Sequence, residues 1–166
     1  TIAEIKDDRT QRFVDELKTE IHSKKYGVGL AAPQLGKSMR MAVIDIKPTE
    51  LRPDVVPFSL TLINPTYQGI GRRASLWEGC LSSGAGKNTL YGKALRYMKI
   101  RATWQDERGV RYDEELSGLP AHVFQHETDH LDGILFVDRV RDSKTYMLAD
   151  EYRKRIAKKG HKKPIR

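Results

Sequence analysis

The sequence has one cysteine, Cys80, and no long run of apolar residues. A single cysteine excludes an internal disulfide and fits a reducing compartment. No apolar stretch approaches the roughly 20 residues of a membrane-spanning helix, so no membrane partner is expected. The first residues do not form a secretory signal. With 166 residues, 39% of them hydrophobic and 31% charged, the chain is predicted to be an ordinary globular protein.

Acidic residues are few relative to basic ones, and the formal net charge is +8. Such an excess indicates a polyanionic partner, most simply nucleic acid or a ribonucleoprotein surface. No aromatic interleaving and no nucleic-acid-binding motif accompany the charges, and no DNA partner is predicted. A solvated tail is an equal alternative. No acid follows Glu151, and the cations beyond it are Arg153, Lys154, Arg155, Lys158, Lys159, Lys162, Lys163 and Arg166.

The hydrophobic pattern predicts a single α+β domain without repeats or linkers. We expect it to cover residues 1–166, with about 151–166 as a basic C-terminal extension. The predicted elements are helices over 8–25, 118–131 and 143–159 and strands over 40–46, 58–63, 91–105, 110–116 and 134–137. The strand that starts at residue 58 is predicted to end at Asn64-Pro65.

The segment from His126 to His130 reads H-E-x-x-H. Positions i and i+4 share one face of a helix, so both imidazoles can reach one metal ion. Glu127 then lies beside the metal, where it can polarise a water molecule instead of acting as a ligand. The motif therefore predicts metal-dependent hydrolysis without identifying what is hydrolysed.

Cys80 lies in Glu78-Gly79-Cys80-Leu81-Ser82. A lone cysteine is usually a small buried hydrophobe. A thiolate is also a strong metal ligand, and one cysteine with two histidines leaves one tetrahedral position open for water. That open position is typical of a catalytic site, because a structural site is closed by a fourth protein ligand.

Residues 27–36 form a loop rich in glycine and alanine that continues into Lys37-Ser38. Its end imitates a phosphate-binding loop, but the first glycine of that motif would fall at Ala31, and a helix precedes the loop. Nucleotide binding is therefore not expected. The small residues instead allow the backbone to approach another chain closely. They also place Gln34, whose amide can donate to a developing oxyanion; a loop-surface glutamine is the alternative.

These three segments together resemble peptide deformylases, the enzymes that remove the formyl group from new polypeptides beginning with formylmethionine. The resemblance lies in G-V-G-L-A-A-P-Q at 27–34, E-G-C-L-S at 78–82 and Q-H-E-T-D-H-L-D-G at 125–133. It implies mainly antiparallel strands packed around a central helix that carries HExxH, with an N-terminal and a C-terminal helix.

The resemblance also implies the roles of the site residues. Cys80, His126 and His130 would bind one divalent metal ion, Fe²⁺ in the cell and commonly Zn²⁺, Ni²⁺ or Co²⁺ in purified protein. Glu127 would act as general base on the water that attacks the formyl carbon. The Gln34 side chain and the Leu81 backbone N–H would stabilise the charge on the formyl oxygen.

The substrate expected from the resemblance is an N-formylmethionyl peptide in an extended conformation. Its backbone would pair near Gly29 and with the segment before Cys80, which contains Glu78 and Gly79. The matching candidates for the methionine pocket are Val28, Leu119, His122 and Val123. His122 is either a neutral core histidine or a cause of altered side-chain preference.

The sequence departs from the family pattern after Ser82. Relatives commonly have a valine or isoleucine and a proline there, followed by an arginine before the next strand. Residues 83–88 instead read Ser-Gly-Ala-Gly-Lys-Asn, and either Lys93 or Arg96 replaces the arginine.

The resemblance adds a general parallel for the basic tail, which would dock on the ribosome. Localisation is expected in the cytoplasm, or in an organelle with formylated translation if a transit peptide has been removed. One alternative is a zinc metallopeptidase with Asp150 or Glu151 as third ligand. Another is a ribosome-binding module whose metal site is not catalytic.

Overall fold

The computed structural model describes residues 2–157. In this part of the chain, the helices are α1 (Ile2–Ile5), α2 (Asp8–Ser23), α3 (Gly118–Leu131) and α4 (Ala149–Tyr152). The strands are β1 (Gly29–Ala31), β2 (Met41–Ile46), β3 (Phe58–Gly79), β4 (Leu90–Gln105), β5 (Arg111–Ser117) and β6 (Met147–Leu148). The chain divides into two compact units, which within the described part contain residues 2–73 with 97–134, and residues 74–96 with 135–157.

Helix α2 belongs to the first unit and begins at a side-chain cap. The Asp7 carboxylate accepts hydrogen bonds from the backbone N–H groups of Arg9 and Thr10, at 2.7 and 3.2 Å, which satisfies amides that the helix itself cannot pair. Its buried positions follow helical spacing and are Thr10, Phe13, Val14, Leu17 and Ile21. The predicted helix over 8–25 is confirmed, ending two residues earlier than expected.

The strand order of the sheet is β1-β2-β3-β4-β5, and β6 pairs with β4. Strand β2 pairs antiparallel with both β1 and β3. Its side chains alternate between two core clusters: Met41 and Val43 pack with α2, whereas Ala42, Ile44 and Ile46 pack with α3. Burial on both faces explains why this strand reads as a continuous hydrophobic run.

Helix α3 has the bounds that the sequence predicts, Gly118–Leu131. Gly118 and Gly133 flank it with positive φ angles of 62° and 73°, a conformation that glycine adopts without a Cβ penalty. The helix contacts β1, β2 and β5. The α+β fold class, with antiparallel strands around the helix that carries HExxH, is confirmed.

Strand β3 continues to Gly79, so the prediction that it ends at Asn64-Pro65 is wrong. Asn64 has a positive φ of 51°, which asparagine tolerates better than most residues. The backbone stays paired there, because the Asn64 N–H donates to the Arg40 carbonyl at 2.9 Å. Pro65 is fully buried. The Asn-Pro pair therefore interrupts the strand locally without ending it.

Of two further predictions, one is wrong and one is only partly correct. Instead of a strand over 134–137 there is a 3₁₀ helix, Phe136–Arg139, and the Asp138 carboxylate caps it by accepting from the Leu135 N–H at 2.8 Å. Of the predicted helix over 143–159, residues 149–157 are helical, as α4 followed by a π-helical segment, Arg153–Ala157, whereas a 3₁₀ turn and strand β6 precede them. Pairing of β6 with the start of β4 overrides the helical propensity of this segment. Residues 158 and 159 lie outside the described residues.

The predicted extent of the domain, 1–166 with an extension from about 151, stays a prediction. None of the helices within residues 2–157 is both long and apolar enough to pass through a membrane.

Candidate active site

The two histidines of the HExxH motif face each other on α3. His126 Nε2 and His130 Nε2 lie 3.2 Å apart, and the two rings meet at an interplanar angle of 88°. His126 is half-buried and His130 is buried. Two ring nitrogens that converge in this way can both be directed at one small ion, as the i, i+4 spacing predicts.

Glu127 is buried beside the backbone of β1. A Cβ atom at position 29 would lie 2.3 Å from Glu127 Oε1, so only glycine allows the carboxylate to occupy this place. Glu127 is 2% exposed. At Gly29 the backbone of the glycine-rich loop is thus approached closely from within the same chain, and the neighbour is the predicted general base. The predicted approach to another chain stays a prediction.

Gln125 fixes α3 to β4, a role that the sequence did not reveal. Its side-chain Oε1 accepts from the Tyr97 N–H and its Nε2 donates to the Tyr97 carbonyl, both at 2.9 Å. The amide pairs with β4 as a neighbouring strand would. Nε2 also donates to the Ala121 carbonyl, one turn earlier. The signal in the sequence was only a glutamine immediately before the HExxH segment; its burial at 1% exposure depends on the tertiary structure.

The Gln34 side chain has a defined orientation in the 3₁₀ helix Ala32–Leu35. Its Oε1 accepts from the Ala31 N–H at 2.8 Å. Because a backbone N–H can only donate, the carbonyl end of the amide must face Ala31, and the NH₂ end is directed away as a donor. Lys37 and Ser38, which imitate the end of a phosphate-binding loop, are followed by strand β2 and not by a helix. A phosphate-binding loop leads into a helix, so this segment does not match one.

In the second unit, Cys80 is buried at the end of β3 and begins a compact loop. The Ser83 N–H and hydroxyl both donate to the Cys80 carbonyl, at 2.9 and 2.5 Å. The Thr89 hydroxyl donates to the Gly84 carbonyl at 3.2 Å. The loop that departs from the family pattern is therefore held by its own hydrogen bonds. Leu81, the predicted oxyanion donor, opens the 3₁₀ helix Leu81–Ser83 with an exposed side chain.

Glu78 and Arg96 form a buried ion pair in the same unit. Arg96 Nε donates to Glu78 Oε1 at 2.6 Å and its terminal nitrogen donates to Oε2 at 3.0 Å, with side-chain exposures of only 1% and 3%. The paired, bidentate geometry compensates part of the cost of burying two charges. Lys93 and Arg96 were the two candidates to replace the arginine that relatives carry before this strand. Arg96 forms the ion pair with Glu78, whereas the Lys93 ammonium lies 5.5 Å from the centroid of the Trp77 ring.

The residues predicted to line the methionine pocket lie at the start of α3 and before β1. Val28 and Leu119 are half-buried and pack against the core cluster that contains Phe124, and Val123 is a member of that cluster at 4% exposure. His122 is half-buried one turn before His126. Their roles in substrate binding, and those of Gly29, Glu78 and Gly79, stay predictions.

Of the described residues, Cys80, His126 and His130 form a group that could hold a metal ion, because their ligand atoms all lie within 4.8 Å of one another. One thiolate and two imidazoles suit zinc and ferrous iron alike. A ligand set of this kind on an HExxH helix, with a glutamate between the histidines, is typical of metal-dependent hydrolases.

Comparisons with known proteins identify the family. The profile described as Polypeptide deformylase matches residues 1–146. Peptide deformylase of Zymomonas mobilis is 38% identical over 149 residues, which cover 89% of this chain and 81% of that protein. The chain belongs to the peptide deformylase family, as the three sequence segments predict.

Two further relatives define how far the likeness extends. Peptide deformylase 3 of Streptomyces avermitilis is 42% identical over 137 residues, or 77% of this chain; these span only 58% of the relative's length. A crystal structure of class I type b peptide deformylase from Acinetobacter baumannii with Met-Ala-Ser bound superposes with a TM-score of 0.72 at 28% identity, covering 81% of this chain and 82% of that one.

Proposed function

We propose that the protein is a metal-dependent peptide deformylase that removes the N-formyl group from formylmethionyl peptides and releases formate. The observation that carries the proposal is the group of Cys80, His126 and His130, whose ligand atoms lie within 4.8 Å of one another. Glu127 lies buried between the two histidines on the same helix.

These three residues would hold a single divalent metal ion, and we take Fe²⁺ as the metal in the cell, with Zn²⁺, Ni²⁺ or Co²⁺ as replacements in purified protein. Held by these ligands, the ion would act as a Lewis acid that lowers the pKa of water and polarises a carbonyl oxygen. The proposal is supported by the chemistry of the donor set, since thiolate and imidazole bind these borderline metals and disfavour magnesium or calcium.

Glu127 is the general base of the proposed reaction. Its carboxylate takes the proton of the attacking water and passes it to the amine that leaves as the formyl C–N bond breaks. Gly29 supports this role, because the absence of a side chain there leaves room for Glu127 Oε1. Burial at 2% exposure keeps bulk water away from the carboxylate.

Gln34 and Leu81 are the proposed donors to the formyl oxygen as it gains negative charge. For Gln34 the support is its fixed orientation, with the carbonyl end held by the Ala31 N–H at 2.8 Å. For Leu81 the proposal concerns only its backbone N–H, at the start of the 3₁₀ helix after Cys80.

The proposed substrate is an extended peptide with a formylated N-terminal methionine. The structure of the Acinetobacter baumannii relative with Met-Ala-Ser bound supports a peptide of this class. Backbone groups at Gly29, Glu78 and Gly79 would pair with it as an added strand. Val28, Leu119, His122 and Val123 would contact the methionine side chain.

A peptidase that uses Asp150 or Glu151 as third ligand has less support. Among the described residues, the group able to hold a metal contains Cys80 and neither of these acids. Asp150 instead pairs with Arg153, and Glu151 pairs with Lys154 and Arg155.

We propose further that the protein works in the cytoplasm, or in an organelle with formylated translation, and docks on the ribosome through its basic tail. Ion pairs already engage Arg153, Lys154 and Arg155, and the remaining basic residues of the tail lie outside the described residues. A steep decrease of ribosome binding with salt would support docking; a ribosome-binding module without catalysis would show this binding and release no formate.

The test is formate release from formyl-Met-Ala-Ser by protein loaded anaerobically with Fe²⁺. We expect wild type to release formate and Glu127→Gln to lose roughly 10²- to 10⁴-fold in kcat, because the substitution removes the general base. Glu127 is not a ligand, so the metal content should stay the same. Glu114→Gln, at an exposed glutamate of β5, is the matched control and should behave as wild type.

The same assay separates the alternatives. Release of Ala-Ser in place of formate would identify an internal peptidase. No formate from protein with one bound equivalent of metal would contradict the proposal.

A further inference from the structure

Three aromatic rings in the second unit connect the C-terminal segment to the residue that precedes Cys80. The rings of Tyr91 and Tyr152 are stacked, with centroids 4.1 Å apart and planes inclined by 12°. Tyr152 also contacts Trp77, at 5.5 Å between centroids. The proposed function uses none of these three rings, although Trp77 and Tyr91 lie on the strands at either end of the loop that contains Cys80.

Tyr91 packs directly on the backbone of Gly79. A Cβ atom at position 79 would lie 2.6 Å from Tyr91 Cζ and 2.7 and 2.8 Å from the two Cε atoms. The ring therefore occupies the space that a side chain at position 79 would need. Because Gly79 immediately precedes Cys80, the position of the Tyr91 ring limits where the backbone of Cys80 can lie.

Backbone contacts on the preceding residues hold Tyr152 in place. Leu148 and Met147 of β6 pair with Leu90 and Tyr91 of β4. The Ala149 N–H donates to the Thr89 carbonyl at 2.9 Å, and Ala149 is 1% exposed. Helix α4 is thus attached to the end of the Cys80 loop, and its last residue, Tyr152, is brought onto the Tyr91 ring.

We propose that Tyr152 is a positioning residue for Cys80: by stacking on Tyr91 it keeps that ring against Gly79 and so holds the thiolate ligand in place. The inference rests on the proposed function, since it concerns a ligand of the same metal site. An offset or stacked aromatic pair contributes to stability beyond its buried area, by an amount that corresponds to roughly a two- to tenfold change in an equilibrium or rate constant. Loss of the stack should therefore be measurable without unfolding the chain.

The test is the rate at which Co²⁺-loaded protein loses its metal to an excess of chelator, followed by the thiolate-to-cobalt absorption. We expect Tyr152→Ala to release Co²⁺ roughly three- to tenfold faster than wild type. Tyr152→Phe keeps the ring and should release Co²⁺ at nearly the wild-type rate. Tyr152→Leu retains apolar bulk without stacking and should behave as Tyr152→Ala, which also provides a readout if the alanine variant does not fold.

Tyr146→Ala is the matched control. Tyr146 also packs on a glycine of β4, since a Cβ at Gly92 would lie 2.9 Å from its ring, whereas the three atoms nearest to a Cβ at Gly79 all belong to Tyr91. We expect it to lower thermal stability and to leave the Co²⁺ release rate unchanged.

Two results would overturn the inference: equal release rates for wild type and Tyr152→Leu, or equal acceleration by Tyr146→Ala. Formate release by wild type, measured on the same preparation, tests the proposed function separately. If wild type binds Co²⁺ through a thiolate but releases no formate, the proposed activity is rejected. The Co²⁺ release rates of wild type and the Tyr152 variants then still decide whether Tyr152 positions Cys80.

Discussion

Arg96 and Glu78 show how one residue pair can support a site without contacting a substrate. Arg96 is the largest fully buried side chain in the described part of the chain, and its Nε and a terminal nitrogen donate to the Glu78 carboxylate. Only Gly79 lies between Glu78 and the candidate ligand Cys80 in the sequence. The sequence did not predict this ion pair, because it left Lys93 and Arg96 as equal candidates for the family's arginine. Only the structure shows that Arg96 is the buried one and pairs with Glu78.

We predict that Arg96→Met destabilises the protein by about 3–5 kcal/mol, because it leaves the Glu78 carboxylate buried without its cation. The double variant Glu78→Met with Arg96→Met should recover a large part of this loss, because it buries no charge. Urea unfolding of both variants gives the free energies. If Arg96→Met lowers the free energy of unfolding by less than about 1 kcal/mol, the ion pair does not stabilise the protein as predicted.

At the scale of elements, Gln125 joins helix α3 to strand β4 through both polar groups of Tyr97. We predict that Gln125→Leu costs roughly 2–5 kcal/mol, because the Tyr97 N–H and C=O both lose a buried partner. Gln68→Leu, on an exposed position of β3, is the control and should change stability by less than about 0.5 kcal/mol. If both variants unfold at the same urea concentration, the hydrogen bonds of Gln125 to Tyr97 do not stabilise the contact between α3 and β4 as predicted.

The turn between β4 and β5 depends on the Asp106 carboxylate. Burial by itself raises the pKa of Asp106, but hydrogen bonds outweigh it and lower the pKa below its ordinary value. The donors are the Arg108 Nε, the backbone N–H groups of Arg108 and Val110, and the Tyr112 hydroxyl. The folded state therefore favours the charged carboxylate.

A folded-state pKa below the unfolded value stabilises the protein above the unfolded pKa, about 3.9, and the stabilisation is lost as the pH falls through the folded pKa. We predict that Asp106→Asn is less stable than wild type at neutral pH. The difference should shrink once the pH falls below about 4. Urea unfolding at several pH values measures it, and a difference that does not change with pH would contradict the role of the charge.

The elements that the sequence predicted well are those whose pattern is local. Helix α3 has its predicted bounds because its flanking glycines and periodic apolar residues are all within one segment. The helix over 143–159 begins later than predicted, because Met147 and Leu148 pair with residues of β4 that lie more than 50 positions earlier. The continuation of β3 past Asn64 was missed for a similar reason: Asn-Pro is a local stop signal, and the neighbouring strands keep the backbone paired.

For the site, the sequence predicted which residues are chemically suited, and the resemblance joined them into one set. HExxH encodes its own geometry on a helix, so the approach of His126 Nε2 to His130 Nε2 followed from spacing. Cys80 could not be placed by spacing, because it lies 46 residues before His126. Support from Gln125 and Arg96 is invisible without the fold, since it depends on burial.

At the scale of the whole molecule, the match to the peptide deformylase family covers residues 1–146. The likeness spans 58% of the Streptomyces avermitilis relative and 81% of the Zymomonas mobilis one. The candidate ligands and the proposed base all lie inside the matched region. The claim that unites these observations is that hydrolysis requires one metal ion held by Cys80, His126 and His130.

The measurement that tests this claim most directly is the rate of formate release from formyl-Met-Ala-Ser as metal-free protein is titrated anaerobically with Fe²⁺. We predict that the rate rises in proportion to added metal and stops rising at one equivalent per chain. For Cys80→Ala we expect no such rise at stoichiometric metal, because a ligand is missing. Formate release that is independent of metal, or that is unchanged in Cys80→Ala, would contradict the account.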